Sequence, residues 1–482
     1  MRLDAIEMND ISKAAVAKPT ELVEQSLYEI RKKIYPRAVS GKFATARWTL
    51  VWFTQILFYG LPWVTWNDRQ AVLFDLAVRK FYIFGLVLWP QDIVYLTALL
   101  ILSAYSLFLF TTVAGRLWCG YSCPQTVYTE IFMWIERKVE GDRGARMKLD
   151  KGATDARKIR LKATKHALWI ALALWTGFTF VGYFTPIKTL WGEVWSASLG
   201  GWQTFWILFY GFATYGNAGW MREQVCKYMC PYARFQSVMF DQDTLIITYD
   251  GSRGEPRGPR NKSVDYKARG LGDCVDCGIC VQVCPTGIDI RNGLQYECIG
   301  CGACVDGCNQ VMAKMGYPKG LIRYSTENAL RKHLDSGQIA RRMVRPRVLI
   351  YTSILLVVTI AAAFTLVERK PVKVDVVRDR GLMSRADSEE VQNVYRLQLM
   401  NTQEKATRFT ISVSGLEGAE LKIEPQPILV GAASAKWVPV RVEASREHLK
   451  QGSNRIEFNI EATPEGGGEG IHLTEKSTFV VQ

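Results

Sequence analysis

Long uncharged runs alternate with strongly charged segments along this chain. Five runs stand out: Trp48–Trp66, Ile93–Gly115, Ala167–Ile187, Trp202–Trp220 and Val348–Val367, each 19 to 23 residues long. At about 1.5 Å per residue, such a helix crosses a hydrocarbon layer of about 30 Å. The pattern therefore predicts five transmembrane helices. Trp48, Trp63, Trp66, Trp202, Trp206 and Trp220 fit the aromatic belts at membrane interfaces. Phe81–Pro90 is apolar but too short to span, and is expected to be an interfacial or re-entrant piece.

The tail beyond residue 370 follows another rhythm. Apolar and polar residues alternate in Val372–Val377, Tyr395–Asn401, Arg408–Ser414, Lys436–Val442, Arg455–Glu461 and Ser477–Val481. Ile456, Phe458 and Ile460 fall on one face. Short strands separated by turn signals predict an antiparallel sandwich, with no cysteine to pin it and a docking role as the expectation. Elsewhere, Leu22–Ile34 fits either a surface amphipathic helix or a solvated tail. Thr244–Tyr249 reads as a short strand before a Gly- and Pro-rich linker, and residues 309–340 as a helix or two.

Composition sharpens this pattern. Mean hydropathy is near zero although 22 % of residues are charged, so apolar and polar residues are segregated into blocks. The net charge of +14 suits nucleic acid or a membrane surface. The basic residues crowd beside the apolar runs, which selects the membrane and excludes nucleic acid. Residues 116–166 hold 12 Lys or Arg, whereas residues 188–201 hold only Lys188. The positive-inside rule then puts the N-terminus, the 116–166 loop and residues 221–347 in the cytoplasm, and the tail outside.

All 12 cysteines lie in regular motifs. Residues 274–308 carry two copies of C-x2-C-x2-C-x3-C, the spacing of a bacterial ferredoxin holding two [4Fe–4S] clusters. The fourth cysteine of each copy crosses to the other cluster. Cys274, Cys277, Cys280 and Cys308 are thus assigned to one cluster, and Cys298, Cys301, Cys304 and Cys284 to the other. Gly278 and Gly302 sit inside the ligand loops. Pro285 follows Cys284 as the pattern expects, while Asn309 stands where a second proline would be. A zinc site would want two more widely separated pairs, and disulfides an oxidising compartment. The reaction class that follows is one-electron transfer.

Two further pairs, Cys119/Cys123 and Cys226/Cys230, share the pattern C-x3-C-P just past the second and fourth runs. Residues i and i+4 share a helix face, so the pairs are expected to bring four thiolates together between helices two and four. Such ligands favour Cu(I), zinc or iron–sulfur. Met229 is a candidate thioether ligand. His166 is a candidate for a metal or haem, or a surface residue. No C-x-x-C-H and no G-x-G-x-x-G opening a helix after a strand occurs, so electrons are expected from another protein or a quinol.

The segments GRLWCGYSCPQTVYTEIFMWIER at 115–137 and REQVCKYMCPYARFQSVMFDQDTLIITYD at 222–250 resemble the CcoG/FixG/Rdx family. RGEPRG at 253–258, the double cysteine run and the cysteine-free tail extend the resemblance over nearly the whole chain. These proteins are accessory to cbb3-type cytochrome c oxidase. The resemblance implies a multi-pass protein of the bacterial inner membrane, with clusters in the cytoplasm and an immunoglobulin-like domain in the periplasm. Expected boundaries are a cytoplasmic segment 1–47, a four-helix membrane region 48–230, a ferredoxin-type domain 231–347, a fifth helix 348–367 and the sandwich 368–482. It further implies reduction of Cu(II) to Cu(I) for the oxidase copper centre. Cys119, Cys123, Cys226 and Cys230 would then be the copper or electron-exit thiols. Expected partners are the lipid bilayer, a cytosolic electron donor, copper chaperones or a copper transporter, and oxidase subunits. The alternatives are a quinone-linked ferredoxin feeding a periplasmic reductase, and a non-redox assembly scaffold.

Overall fold

The computed structural model describes residues 33–262, 265–383, 390–467 and 470–481. Most of the Leu22–Ile34 expectation lies outside the described residues. The five uncharged runs are largely helical. They correspond to α1 (Lys42–Gly60), α2 (Ile93–Ala114), α6 (Ala156–Val181), α8 (Gly201–Thr214, continued by a π-helical turn Tyr215–Met221) and α15 (Pro346–Val367). Between α2 and α6 come α3 (Leu117–Tyr121), α4 (Pro124–Glu140) and α5 (Arg143–Lys151); α7 (Ile187–Trp195) precedes α8. Among the described residues, two helices are long and apolar enough to cross a membrane, Pro90–Ala114 and Pro346–Val367, and their apolar windows are wholly unburied. The two pack along each other, and Tyr95 Oη donates to the Thr365 carbonyl at 2.9 Å. Their bare apolar surfaces have no soluble explanation, and the protein is membrane-associated.

The helix starts explain several breaks in the sequence. Pro124 and Pro231 each occupy the first turn of a helix, α4 and α9 (Pro231–Met239), where the missing N–H costs nothing. The N-terminus of α1 is capped from far away. Asp306 accepts from the backbone N–H of Ala44 at 2.8 Å and of Phe43 at 3.4 Å.

A cysteine-rich domain joins this end of the helices. It contains α10 (Gly251–Gly254), α11 (Ile279–Gln282), α12 (Ala303–Met315), α13 (Glu327–Lys332) and α14 (Ser336–Met343). Ile246–Tyr249 pairs antiparallel with Ile322–Ser325, so the strand expected at Thr244–Tyr249 is present. Asn309, where a proline was expected, accepts from Gly320 N at 2.9 Å and ties α12 to the loop before Ile322.

The opposite end carries the tail domain. Its eight strands form two four-stranded antiparallel sheets facing each other. The core between them includes Tyr395, Leu397, Phe409, Val440, Ile456, Phe458, Ile460 and Phe479, so the face expected from Ile456, Phe458 and Ile460 is the inward one. One expectation fails. Phe81–Pro90 is not a re-entrant piece: Lys80–Ile83 and Leu86–Leu88 are strands of a three-stranded antiparallel sheet with Val72–Asp75. Its apolar residues Val87 and Trp89 are buried against Met400 of the tail domain. Asp92 anchors the same contact through ion pairs to Arg369, at 2.6 Å, and Lys373.

Candidate iron–sulfur and thiol centre

The eight ferredoxin-type cysteines line two adjoining cavities. Cys274, Cys277, Cys280 and Cys308 surround one. Cys284, Cys298, Cys301 and Cys304 surround the other, which Cys280 also borders. Gly278 and Gly302 precede α11 and α12 in the left-handed region, at φ 63° and 72°, a conformation that favours glycine. The chain there turns its amides toward the ligands: Val281 N–H faces Cys280, Gly300 N–H faces Cys298, and Ala303 N–H faces Cys301.

These donor sets fit iron–sulfur clusters on two counts. Burial pushes the thiols of Cys298 and Cys308 up to about 12 and that of Cys280 to about 11. Such thiols become thiolates when a metal holds them. The second count is unmet cationic donors. Arg47 and Arg116 are buried at 6 % exposure each, and the Nε of each has no hydrogen-bond partner. The Arg47 guanidinium faces Cys301, and that of Arg116 faces Cys298. Buried donors of this kind call for an acceptor, and cluster and ligand sulfurs supply several. The first set is less enclosed. Cys277 is exposed, and Asp276 and Asp289 stand nearby, paired with Arg291.

The C-x3-C-P cysteines differ in placement from the helix-face expectation. Cys119 lies in α3, but Cys123 is the extended residue that caps α4. Cys226 lies in a π-helical turn, Val225–Met229, and Cys230 caps α9. Each pair thus straddles a helix break made by its proline. The four thiols still converge: the field at Cys226 includes Cys123, Cys119 and Cys230, and that at Cys119 includes Cys123 and Cys230. Burial pushes Cys119 up to about 11 and Cys226 to about 12. The side-chain amide of Gln236, itself fully buried, lies 3.5 Å from Cys119 Sγ.

This thiol set abuts the second cysteine cavity. Cys119 and Cys226 pack against Ile299, Cys301 and Ala303. One close approach is at Gly120, where an added Cβ would lie 2.7 Å from Ile299 O and 2.8 Å from Cys301 Cα. Arg116 serves both sides, because its charge also bears on Cys119 and Cys226. Behind Cys226, a cavity of about 290 Å³ opens between Arg116, Lys227, Arg234, Tyr296 and Glu297.

A buried charge network braces the same region. Glu136 on α4 pairs with Arg146 at 2.9 Å and Arg222 at 3.0 Å, and Glu140 pairs with Lys162 and Lys165. Burial opposes the Glu136 charge, but Arg222, Arg146 and Lys165 together hold its carboxyl below the usual range. His166 is not at the thiols. Its ring stacks on Trp220 at 5.9 Å, and its Nδ1 bonds Tyr215 Oη at 3.0 Å. Met229 is exposed. Sequence reasoning did not single out Arg47, Arg116, Gly120, Gln236 or Asp306. Of these, Gly120 and Asp306 lie inside cysteine motifs, whereas Arg47, Arg116 and Gln236 carried no local signal.

Comparison with known proteins agrees with this architecture. Residues 221–327 match a 4Fe–4S dicluster domain, residues 96–140 a 4Fe–4S binding domain, and residues 362–482 the immunoglobulin-like fold at the C-terminus of FixG. The nitrogen fixation protein FixG of Rhizobium meliloti is 37 % identical, with 87 % of each chain covered. Protein RdxB of Cereibacter sphaeroides is 39 % identical, covering 84 % of this chain and 87 % of its own. Protein RdxA of the same organism is 38 % identical, covering 92 % and 97 %. By its membrane helices, its paired cysteine cavities and its likeness to these relatives over most of its length, this chain belongs to the FixG/Rdx family of iron–sulfur proteins.

Proposed function

We propose that this protein transfers electrons across a short path from its clusters to Cu(II), delivering Cu(I) for the copper centre of a cbb3-type cytochrome c oxidase. The observation that supports it best is the contact of Gly120, between two C-x3-C-P thiols, with the backbone of Cys301. When bound, clusters of this kind carry electrons singly. The exposed Cys277 side offers the docking point for a cytosolic donor. The buried Cys119 and Cys226 lead away from the second cavity toward the exit. At the exit, Cu(II) gains one electron and becomes Cu(I), an ion that soft thiolates hold better.

In this reading α1, α2, α6, α8 and α15 all span the bilayer. The cysteine domain lies in the cytoplasm and the sandwich in the periplasm, where it docks oxidase subunits. Arg345 and Arg347 at the start of α15 bond Thr112 O at the end of α2 and Met239 O, beside the cysteine domain. The sandwich meets the opposite helix ends. That separation supports two sides of one membrane. Copper chaperones or a copper transporter would exchange the ion.

The test uses full-length protein, purified anaerobically with its clusters reduced, and follows Cu(II) reduction. Cys226→Ser with Cys230→Ser should abolish the reaction while the ferredoxin-type clusters stay reducible. An unchanged rate removes the thiols from the path. Cluster oxidation by a quinone with indifference to copper replaces the copper reading with a quinone-linked one.

A further inference from the structure

Cysteine counts and cysteine positions do not balance over two clusters. Residues 96–140 match a 4Fe–4S binding domain yet contain only Cys119 and Cys123, half the thiolates a cubane needs. Residues 221–327 match a dicluster domain and contain ten cysteines, of which eight line the two cavities. The surplus is Cys226 and Cys230. The deficit in one region equals the excess in the other, and the fold brings the two pairs together.

We propose that Cys119, Cys123, Cys226 and Cys230 jointly bind a third [4Fe–4S] cluster, assembled between the two helical hairpins. Three features of the site resemble those of the two ferredoxin-type sets. Cys123 receives the N–H groups of Gln125 and Thr126 from the first turn of α4, as Cys298 and Cys301 receive theirs. Arg116 supplies a buried cation with an unmet Nε donor, shared with the neighbouring set. The Gln236 amide adds a further buried polar contact at Cys119 Sγ.

The inference goes beyond the copper reading and does not depend on it. A third cluster makes the thiol set a resident electron carrier, with the acceptor approaching through the cavity behind Cys226. Iron and acid-labile sulfide would be measured on the anaerobically purified full-length chain, with Mössbauer spectra to count cubanes. The expected content is about twelve irons per chain, four for each cluster. Cys226→Ser with Cys230→Ser should lower it to about eight and keep both ferredoxin-type EPR signals. About eight irons in wild type overturns the proposal, whether or not the double variant folds. So does a wild-type chain with about eight irons and one chelator-resistant copper lost in the variant. Twelve irons without Cu(II) reduction would sink the copper reading and leave the third cluster standing. Eight irons with Cu(II) reduction would do the reverse.

Discussion

Gly120→Ala tests the proposed electron path where α3 touches the second cysteine cavity. The new Cβ would stand 2.7 Å from Ile299 O, 2.8 Å from Cys301 Cα and 2.9 Å from Cys301 N. Non-bonded heavy atoms prefer about 3.5–4.0 Å, so the surfaces must part by roughly 1 Å. All three obstructing atoms are main chain and cannot rotate aside. Overpacking costs about 1–3 kcal/mol. Replacing a helical glycine returns up to about 1 kcal/mol, leaving a net loss on the order of 1–2 kcal/mol. The kinetic effect is a slower hop, because electron tunnelling weakens exponentially as the gap between the two sites widens. The assay is stopped-flow reoxidation of the reduced clusters by Cu(II), with iron content measured in parallel. The variant should keep its iron and reoxidise several-fold more slowly than wild type. Gly144→Ala is the control: its Cβ meets nothing within 4 Å, and α5 should gain slightly from the change. Wild-type reoxidation in a folded Gly120→Ala protein would show that electrons leave by another route.

Three other perturbations test the surroundings of the site. Replacing Arg47 or Arg116 by Met removes a buried cation from beside Cys301 or Cys298. At roughly 8 Å and an effective dielectric of ~20, a unit charge is worth about 2 kcal/mol, or about 90 mV for a one-electron couple. EPR-monitored titration should find one cluster potential lowered toward that extent, and an unmoved potential would refute the assignment. Glu136→Gln leaves Arg146, Arg222 and Lys165 without their shared carboxylate, costing about 3–5 kcal/mol at neutral pH. The folded-state value of Glu136 lies below its unfolded one. Its contribution is therefore complete above about pH 4.3 and fades as pH falls through the folded value. Acid unfolding curves of the variant should be flatter on that limb, and identical curves would count against the network. Asp306→Ala uncaps α1 and should cost about 1–2 kcal/mol. Because the cap comes from inside a cysteine motif, chelator-driven iron release should also quicken; destabilisation without faster release would separate the two.

Much of the molecule was legible because its signals are local. The eight-cysteine spacing is a property of one short segment, and the two cavities are lined by the sets that the crossover pattern names. Strand alternation in the tail needed only period two, and Ile456, Phe458 and Ile460 are buried accordingly. Non-local relations were hidden. Phe81–Pro90 resembles a membrane-interface piece because it is apolar, and only Met400, far along the chain, makes it a buried sheet. Arg47 and Arg116 look like any basic residues flanking a membrane helix, until the cysteine domain folds over them. A proline after the second cysteine marks a helix start, so the two cysteines of a pair belong to different helices.

The non-local contacts also decide what the site is built to do. Asp306 and Cys308 lie within one turn of α12, yet Asp306 caps a helix of the apolar bundle and Cys308 lines a cluster cavity. Arg116, which caps α3, and Gly120 within α3 press on the Ile299–Cys301 segment of the other cavity. Loading the cysteine domain and seating it on the helices are therefore linked equilibria. Whatever stabilises one must stabilise the other by the same free energy. A ferredoxin domain that only stored electrons would need no such coupling, and could hang from a flexible linker. The rigid seat makes sense if the distance from the second cavity to the C-x3-C-P thiols must stay fixed through every turnover. The cation shared by both sets, Arg116, reinforces this: it sits where an electron moving between them would pass, so it stabilises the charge before and after the hop and adds little barrier between.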